Sequence, residues 1–284
     1  MGTQPAARTE GDRYERAVVR AGGLRGGRTP PRMRGTNVRT EDIGPVRHVI
    51  ISRAEKRNAL SSKVYGELGE AFVAAARAGD VRCVVVRGDG PTFSSGNDVG
   101  ELAALAADPS AVRQGRPIML SAVNALEEMA KPTIAQLHGA CIGGAAELAL
   151  ACDLRVMATD AHIALFETKL GLIPDLGGSS RLAAVVGLGR AKEIVMTARR
   201  VGADEALRIG LVNRVASPGR LDAATADLVD ELMANGDSAV GLAKRILDAA
   251  AKPALAVTLE MEVTAQDTLV RTQDFARRLR TTRR

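Results

Sequence analysis

Aromatic side chains are nearly missing from this sequence: they make up 2% of residues, with two Tyr, four Phe and no Trp. Surfaces that bind single-stranded nucleic acid stack bases on such rings, so a nucleic-acid partner is not expected. Cysteine is scarce as well. Cys83, Cys141 and Cys152 lie far apart in apolar segments without a C-x-x-C pair, which predicts reduced core thiols in a cytoplasmic protein rather than a disulfide framework. Three scattered histidines, His48, His138 and His162, offer no metal-ligand spacing, so no metal site is expected. No apolar run approaches the length of a membrane span, and there is no signal-peptide core, which argues against a membrane partner.

Nucleotide and nucleophile signatures are absent too. There is no G-x-x-x-x-G-K-[ST] loop, and GLGRAK at 187–192 lacks the third glycine of a dinucleotide fingerprint and follows a helical pattern rather than a strand. Ser94 and Ser95 are not in a G-x-S-x-G elbow. What the chain does have is length and aliphatic content. Its 284 residues, 46% hydrophobic, suffice for one sizeable domain or two small ones, with a core filled by Ala, Val, Leu and Ile.

The net charge of +6 belongs to one end. Residues 1–39 carry nine Arg and three acids in a Gly- and Pro-rich background (GGLRGGRTPPRMRG), while the rest of the chain is neutral. Lacking apolar periodicity, this extension is expected to be disordered. From there on, strands and helices alternate, which predicts α/β architecture. Strands are expected at 46–52 (VRHVIIS), 81–88 (VRCVVVRG), 133–138 and 153–159. Helices are expected at 61–78, 110–129 and 143–151, with FSSGNDVGEL (93–102) as a Gly-punctuated loop. After Gly178 the pattern turns helical, with segments at 220–235 and 237–250 and a last helix at 254–279. The expected division is an extension 1–39, a core 40–215 and a helical region 216–284.

Three segments carry candidate chemistry. In CIGGAAELALACDL (141–154), Gly143 and Gly144 open a helix whose first amides have no internal partner and can meet developing negative charge, with Glu147 in the first turn. A Gly-started core helix with a capping glutamate fits the same letters. In FSSGND (93–98), a second Gly-bearing turn can leave another N–H free. Two such amides converging on one oxygen would make an oxyanion hole, although a lone Gly-rich turn is more often only a turn. In FETKLGLIPDLGG (166–178), Glu167 and Asp175 stand among apolar residues. Such surroundings raise a carboxyl's proton affinity and suit proton transfer.

Four segments, RAEKRNALS (53–61), FSSGNDVGEL, PTIAQLHGACIGGAAELALACDLRVMA (132–158) and LGLIPDLGGSSRL (170–182), resemble in order and spacing the crotonase superfamily of enoyl-CoA hydratases and isomerases. The resemblance implies a spiral of β-β-α turns with a C-terminal helical region used for assembly into a homotrimer or a homohexamer. It implies an acyl-CoA thioester substrate and no separate cofactor, coenzyme A being part of the substrate. By motif position it places the oxyanion-hole amides on Asn97 and Gly144, and the paired catalytic acids on Glu147 and Glu167, which would add water across the 2,3 double bond of a 2-enoyl-CoA. Lys56 and Arg57 match the family's basic pair near the CoA phosphates. Ala59, Ser95, Gly96, Asp98, Val99, Ile142, Gly143, Leu170 and Pro174 complete the implied substrate-binding set. Asp175 stands where typical hydratases have glycine and matches the second acid of dienoyl-CoA isomerases. Isomerisation through Glu167 and Asp175 is therefore the alternative activity. A non-catalytic acyl-CoA-binding or interaction module is the alternative of a different class.

Overall fold

The computed structural model describes residues 36–108, 111–252 and 254–282. Parallel pairing of buried strands dominates it. Cys83–Gly88 (β3) is buried at every position, as a strand covered on both faces must be. It pairs in parallel with Val46–Ile51 (β2) on one side and Thr133–Leu137 (β4) on the other. Leu154–Ala158 (β6) and Arg214–Ala216 (β9) continue the parallel sheet beyond β4. Val38–Ile43 (β1) closes the far edge by antiparallel pairing with β2. A second sheet joins Ala140–Ile142 (β5), His162–Ala164 (β7) and Val201–Gly202 (β8). Strands β4 and β6 of the large sheet are each followed directly by a strand of the small one, the β-β-α turn that the resemblance implied.

Helix Ser62–Arg77 (α1) starts where Ser61 Oγ accepts the Val64 N–H at 3.3 Å, an N-cap. It buries Val64, Tyr65, Leu68, Phe72 and Ala75, one face at helical spacing. Val99–Ala107 (α2) rises inside the segment expected to be a loop, because Asp98 Oδ1 caps it by accepting the Gly100 N–H at 2.9 Å. Ala111–Glu127 (α3) packs on α1, and Gly144–Ala151 (α4) is buried along its whole length. Gly178–Val186 (α5), Leu188–Thr197 (α6) and Ala203–Arg208 (α7) follow. The C-terminal part comprises Leu221–Met233 (α8), Asp237–Ala251 (α9), Leu255–Leu269 (α10) and Gln273–Thr282 (α11). The single helix expected over 254–279 is thus two, separated at 270–272.

Of the extension expected to be disordered, residues 1–35 lie outside the described residues. Residues 36–39 are ordered: Glu67 Oε2 accepts the N–H groups of Asn37 and Val38 at 2.7 and 3.0 Å, and Arg39 donates to Asp89 Oδ1 at 2.9 Å.

Arg155 on β6 secures α4 from below. Though buried, it donates to the main-chain carbonyls of Leu211 (2.8 Å), Cys152 (2.7 Å) and Ala149 (3.2 Å), two of them at the end of α4, where a cation suits the helix dipole. Replacing it with Met leaves three buried oxygens without donors. Arg155→Met should therefore lower unfolding free energy by about 2–3 kcal/mol, read as a lower urea midpoint at unchanged denaturant slope.

Candidate active site

In parallel α/β sheets the space beyond the carboxyl ends of the strands is where ligands bind, and here the loops leaving β3 and β4 are joined there. Ser94 N–H donates to Ala140 O (3.0 Å) and Ile142 N–H to Ser94 O (3.2 Å), pairing the two loops like short strands. Gly96 sits at φ +87°, and a Cβ there would lie 2.4 Å from Ile142 O, so only glycine allows this approach. The pairing sets Asn97 beside Gly144. A Cβ on Gly144 would fall 2.3 Å from Asn97 Oδ1 and 2.6 Å from the Tyr65 hydroxyl. Tyr65, buried on α1, donates to Asn97 Oδ1 at 2.8 Å and fixes that side chain. The main-chain N–H groups of Asn97 and Gly144 have no acceptor among the described residues. That of Gly144 is the first of α4, where the helix dipole favours negative charge.

Carboxyl groups crowd the same place. Glu147 projects from the first turn of α4 and is 1% exposed. Its Oε1 accepts the N–H groups of Leu176 and Gly178, both at 3.0 Å. Burial, then the charges of Glu167, Asp175 and Glu262, push its proton affinity well above the ordinary range, against the Leu176 N–H. Glu167 opens a 3-10 turn after β7, with Oε1 3.1 Å from the position of a Cβ on Gly143. Its Oε2 is buried and unpartnered among the described residues. Burial raises its pKa to about 8, and the charge of Asp175 adds to the rise. Asp175 is buried, with its pKa raised to about 6 by burial and held down by Arg116, whose Nε lies 3.7 Å from Oδ2. Carboxyls this close cannot all ionise near neutrality, so they titrate as a group and retain protons.

A cavity of about 180 Å³ opens beside them. Leu60, Leu102, Ala104 and Met119 supply apolar walls, and Asn97, Asp98, Glu101, Arg116, Asp175 and Gln266 supply polar ones. Sequence reasoning missed several of these groups. Arg116 on α3 is buried and donates to the main-chain oxygens of Asp175 (2.6 Å) and Leu259 (2.9 Å). Glu262 and Gln266, one turn apart on α10, are 5% exposed each. Only their i, i+4 spacing hinted at a shared face, and nothing local tied that face to residues 173–177.

The remaining candidates divide. Asn97, Asp98 and Asp175 line the cavity, whereas Glu147, Glu167, Gly143 and Gly144 adjoin it through the contacts just described. Asp98 commits both oxygens, capping α2 with one and pairing with Arg53 at 2.7 Å with the other. Lys56 and Arg57 are exposed on a 3-10 turn held to the loop by the Ser95 N–H, which donates to Arg57 O at 2.9 Å. Ala59 O accepts from Arg53 at 3.1 Å. Val99 is 44% exposed, and Leu170 packs into an apolar cluster with Leu172, Val270, Phe275 and Leu279. Pro174 is buried, and Ile142 is half-buried in the paired loops. Lys56, Arg57, Ala59, Val99, Leu170, Pro174 and Ile142 do not line the cavity.

Two unpartnered amides beside carboxyls of raised proton affinity can together steady charge on a carbonyl oxygen while protons move nearby. Comparison with known proteins gives that chemistry a family. The profile of the family described as enoyl-CoA hydratase/isomerase matches residues 43–281, and the chain belongs to it. A short-chain-enoyl-CoA hydratase of Clostridium acetobutylicum is 33% identical over 216 residues, 75% of this chain and 81% of that protein. A peroxisomal Δ(3,5)-Δ(2,4)-dienoyl-CoA isomerase of Arabidopsis thaliana is 33% identical over 221 residues, 74% of this chain and 80% of that protein. The crystal structure of a putative enoyl-CoA hydratase from Thermobifida fusca YX in complex with acetoacetyl-CoA matches with a TM-score of 0.69 at 33% identity, covering 81% of this chain and 93% of that one. The chain is thus an enzyme of the hydratase/isomerase family with the crotonase fold.

Proposed function

We propose that the protein adds water across the 2,3 double bond of a 2-enoyl-CoA thioester. The observation carrying this reading is that buried Glu147 and half-buried Glu167 both adjoin the Gly143–Gly144 start of α4, where the N–H groups of Asn97 and Gly144 are unpaired. Attack of hydroxide on C3 moves electron density onto the thioester oxygen, and two fixed N–H donors stabilise that charge without reorganising. Glu147 is the base: its raised proton affinity makes its ionised form a strong proton acceptor, steadied by the N–H groups of Leu176 and Gly178. It takes the proton of the attacking water. Glu167, with its pKa near 8, holds a proton at neutral pH and delivers it to C2. Lys56 and Arg57, exposed on the turn bonded to the Ser95 loop, would meet CoA phosphates. No separate cofactor enters the scheme. The test is incubation with crotonyl-CoA and longer 2-enoyl-CoAs, following product mass. A gain of one water supports the reading, and tight binding without turnover across the panel would replace it with a binding module.

One observation favours a second activity. Asp175 lines the cavity while Glu147 and Glu167 only adjoin it, so an acyl chain lying there would meet Asp175 as a proton carrier at a carbon separate from the one Glu167 serves. Asp175→Asn should then reduce migration of a 3,5-dienoyl double bond by roughly 10²-fold or more while 2-enoyl hydration stays within about 3-fold. Equal loss of both rates, or of neither, would remove Asp175 from the isomerase role.

We also propose assembly as a homotrimer, or a dimer of trimers, through the C-terminal helices. Helix α10 buries Glu262 and Gln266 while Val257 and Met261 are 63% and 66% exposed, and α9 exposes Leu242, Ile246 and Leu247. That polarity is inverted for a helix facing water and supports cover by another subunit. The three free cysteines are buried, as suits a reducing compartment, and we place the protein in the cytoplasm. No helix among the described residues is long and apolar enough to cross a membrane.

A further inference from the structure

The turn that receives Glu147 is held from two sides. Glu147 takes the N–H groups of Leu176 and Gly178, while the Gly177 N–H between them points the other way and donates to Glu262 Oε2 at 2.8 Å. Three successive amides are thus shared by the carboxylates of Glu147 on α4 and Glu262 on α10, 115 residues apart in sequence. The carbonyls of the turn are engaged as well: Arg181 donates to Leu176 O, and Arg116 to Asp175 O at 2.6 Å. Gly177 is in the left-handed region at φ +84°, and a Cβ there would lie 2.2 Å from Arg181 Nη1, so the turn needs glycine at this position. The second oxygen of Glu262, Oε1, is buried without a partner among the described residues.

We propose that Glu262 is a positioning residue for proton transfer: by holding the Gly177 N–H it aims the flanking amides at Glu147, tying the geometry of the reacting carboxyl to the seating of the C-terminal helix. This rests on the reading of Glu147 as a proton-transfer group. Glu262 also acts through its charge. The groups facing it are Asp175, Arg116 on α3, Arg181 on α5 and Glu147 itself. Burial, with Asp175, raises its pKa to about 7, against the Gly177 N–H and the two arginines. Ionised, it raises the proton affinity of Glu147.

Two full-length variants separate these contributions. Glu262→Ala removes the acceptor and the charge and should lower kcat roughly 10- to 100-fold through misaimed amides, with KM nearly unchanged. Glu262→Gln keeps an oxygen for the Gly177 N–H and should recover most of kcat, but its pH-rate profile should move to lower pH, because one negative charge beside Glu147 is gone. A native profile and native kcat in both variants would overturn the proposal. If Glu262→Ala fails to fold, the Glu262→Gln profile decides alone. Infrared titration of the protonated-carboxyl band that Glu147→Gln removes reads the same shift without turnover. A native enzyme inactive on every thioester therefore sinks the reaction scheme, while an unmoved band sinks the role of Glu262.

Discussion

Glu167→Gln should abolish turnover of 2-enoyl-CoAs and, at pH 9, make the folded protein harder to unfold. The kinetic half follows from losing the proton donor to C2, a loss of about 10²–10⁴-fold in kcat. The stability half follows from linkage. The folded-state pKa of Glu167 is about 8 against an ordinary 4.5, so between those values the native state holds a proton that the unfolded chain has released. Stability from this group is complete below pH 4.5 and is lost as pH rises through 8. Glutamine carries no such penalty, so the variant should exceed the native protein by roughly 2–4 kcal/mol at pH 9 and match it near pH 4. Urea midpoints at the two pH values, set beside rates on crotonyl-CoA, check both halves. A variant that keeps its activity would remove Glu167 from proton donation, and one whose advantage does not grow with pH would show that its carboxyl is not held protonated in the folded state.

Gly144→Ala should cost about 10²–10³-fold in kcat in a protein that still folds. The added methyl would sit 2.3 Å from Asn97 Oδ1 and 2.6 Å from the Tyr65 hydroxyl, distances that real Cβ contacts do not show. With Tyr65 holding the Asn97 side chain in place, the start of α4 backs away and carries the Gly144 N–H out of line with that of Asn97. Gly79→Ala is the control: a Cβ there meets nothing within 4 Å, so its rate should equal that of the native protein. Loss below about 3-fold in Gly144→Ala would separate this pair of amides from the chemistry.

Much of the core was legible in the chain because its strands are buried on both faces and therefore continuous in apolar residues. VRHVII and CVVVRG mark β2 and β3 unaided, and Ser61 marks the start of α1. Strand β1 was not legible, since VRTEDI is half-exposed at a sheet edge and mixes charges into its pattern. Strands β5, β7, β8 and β9 span two or three residues each, too few for any period to show. The site divided along similar lines. Glu147 and Glu167 sit inside motifs, and the neighbourhood of Asn97 and Gly144 follows from glycines at close approaches. Arg116, Glu262 and Gln266 come from helix faces whose partners are set by tertiary packing alone, and Tyr65 looked like any other apolar position of α1.

Because the unpartnered donors of Asn97 and Gly144 belong to peptide groups, the thioester-binding element proposed for them would be written in backbone shape and not in side-chain identity. An alanine scan would pass over Asn97 and register only the loss of its bond to Tyr65. The apolar walls of the neighbouring cavity, Leu60, Leu102, Ala104 and Met119, could be exchanged, retuning which groups fit, while that backbone element stayed intact. Diversification within this architecture is thus cheap on the walls and expensive at the glycines.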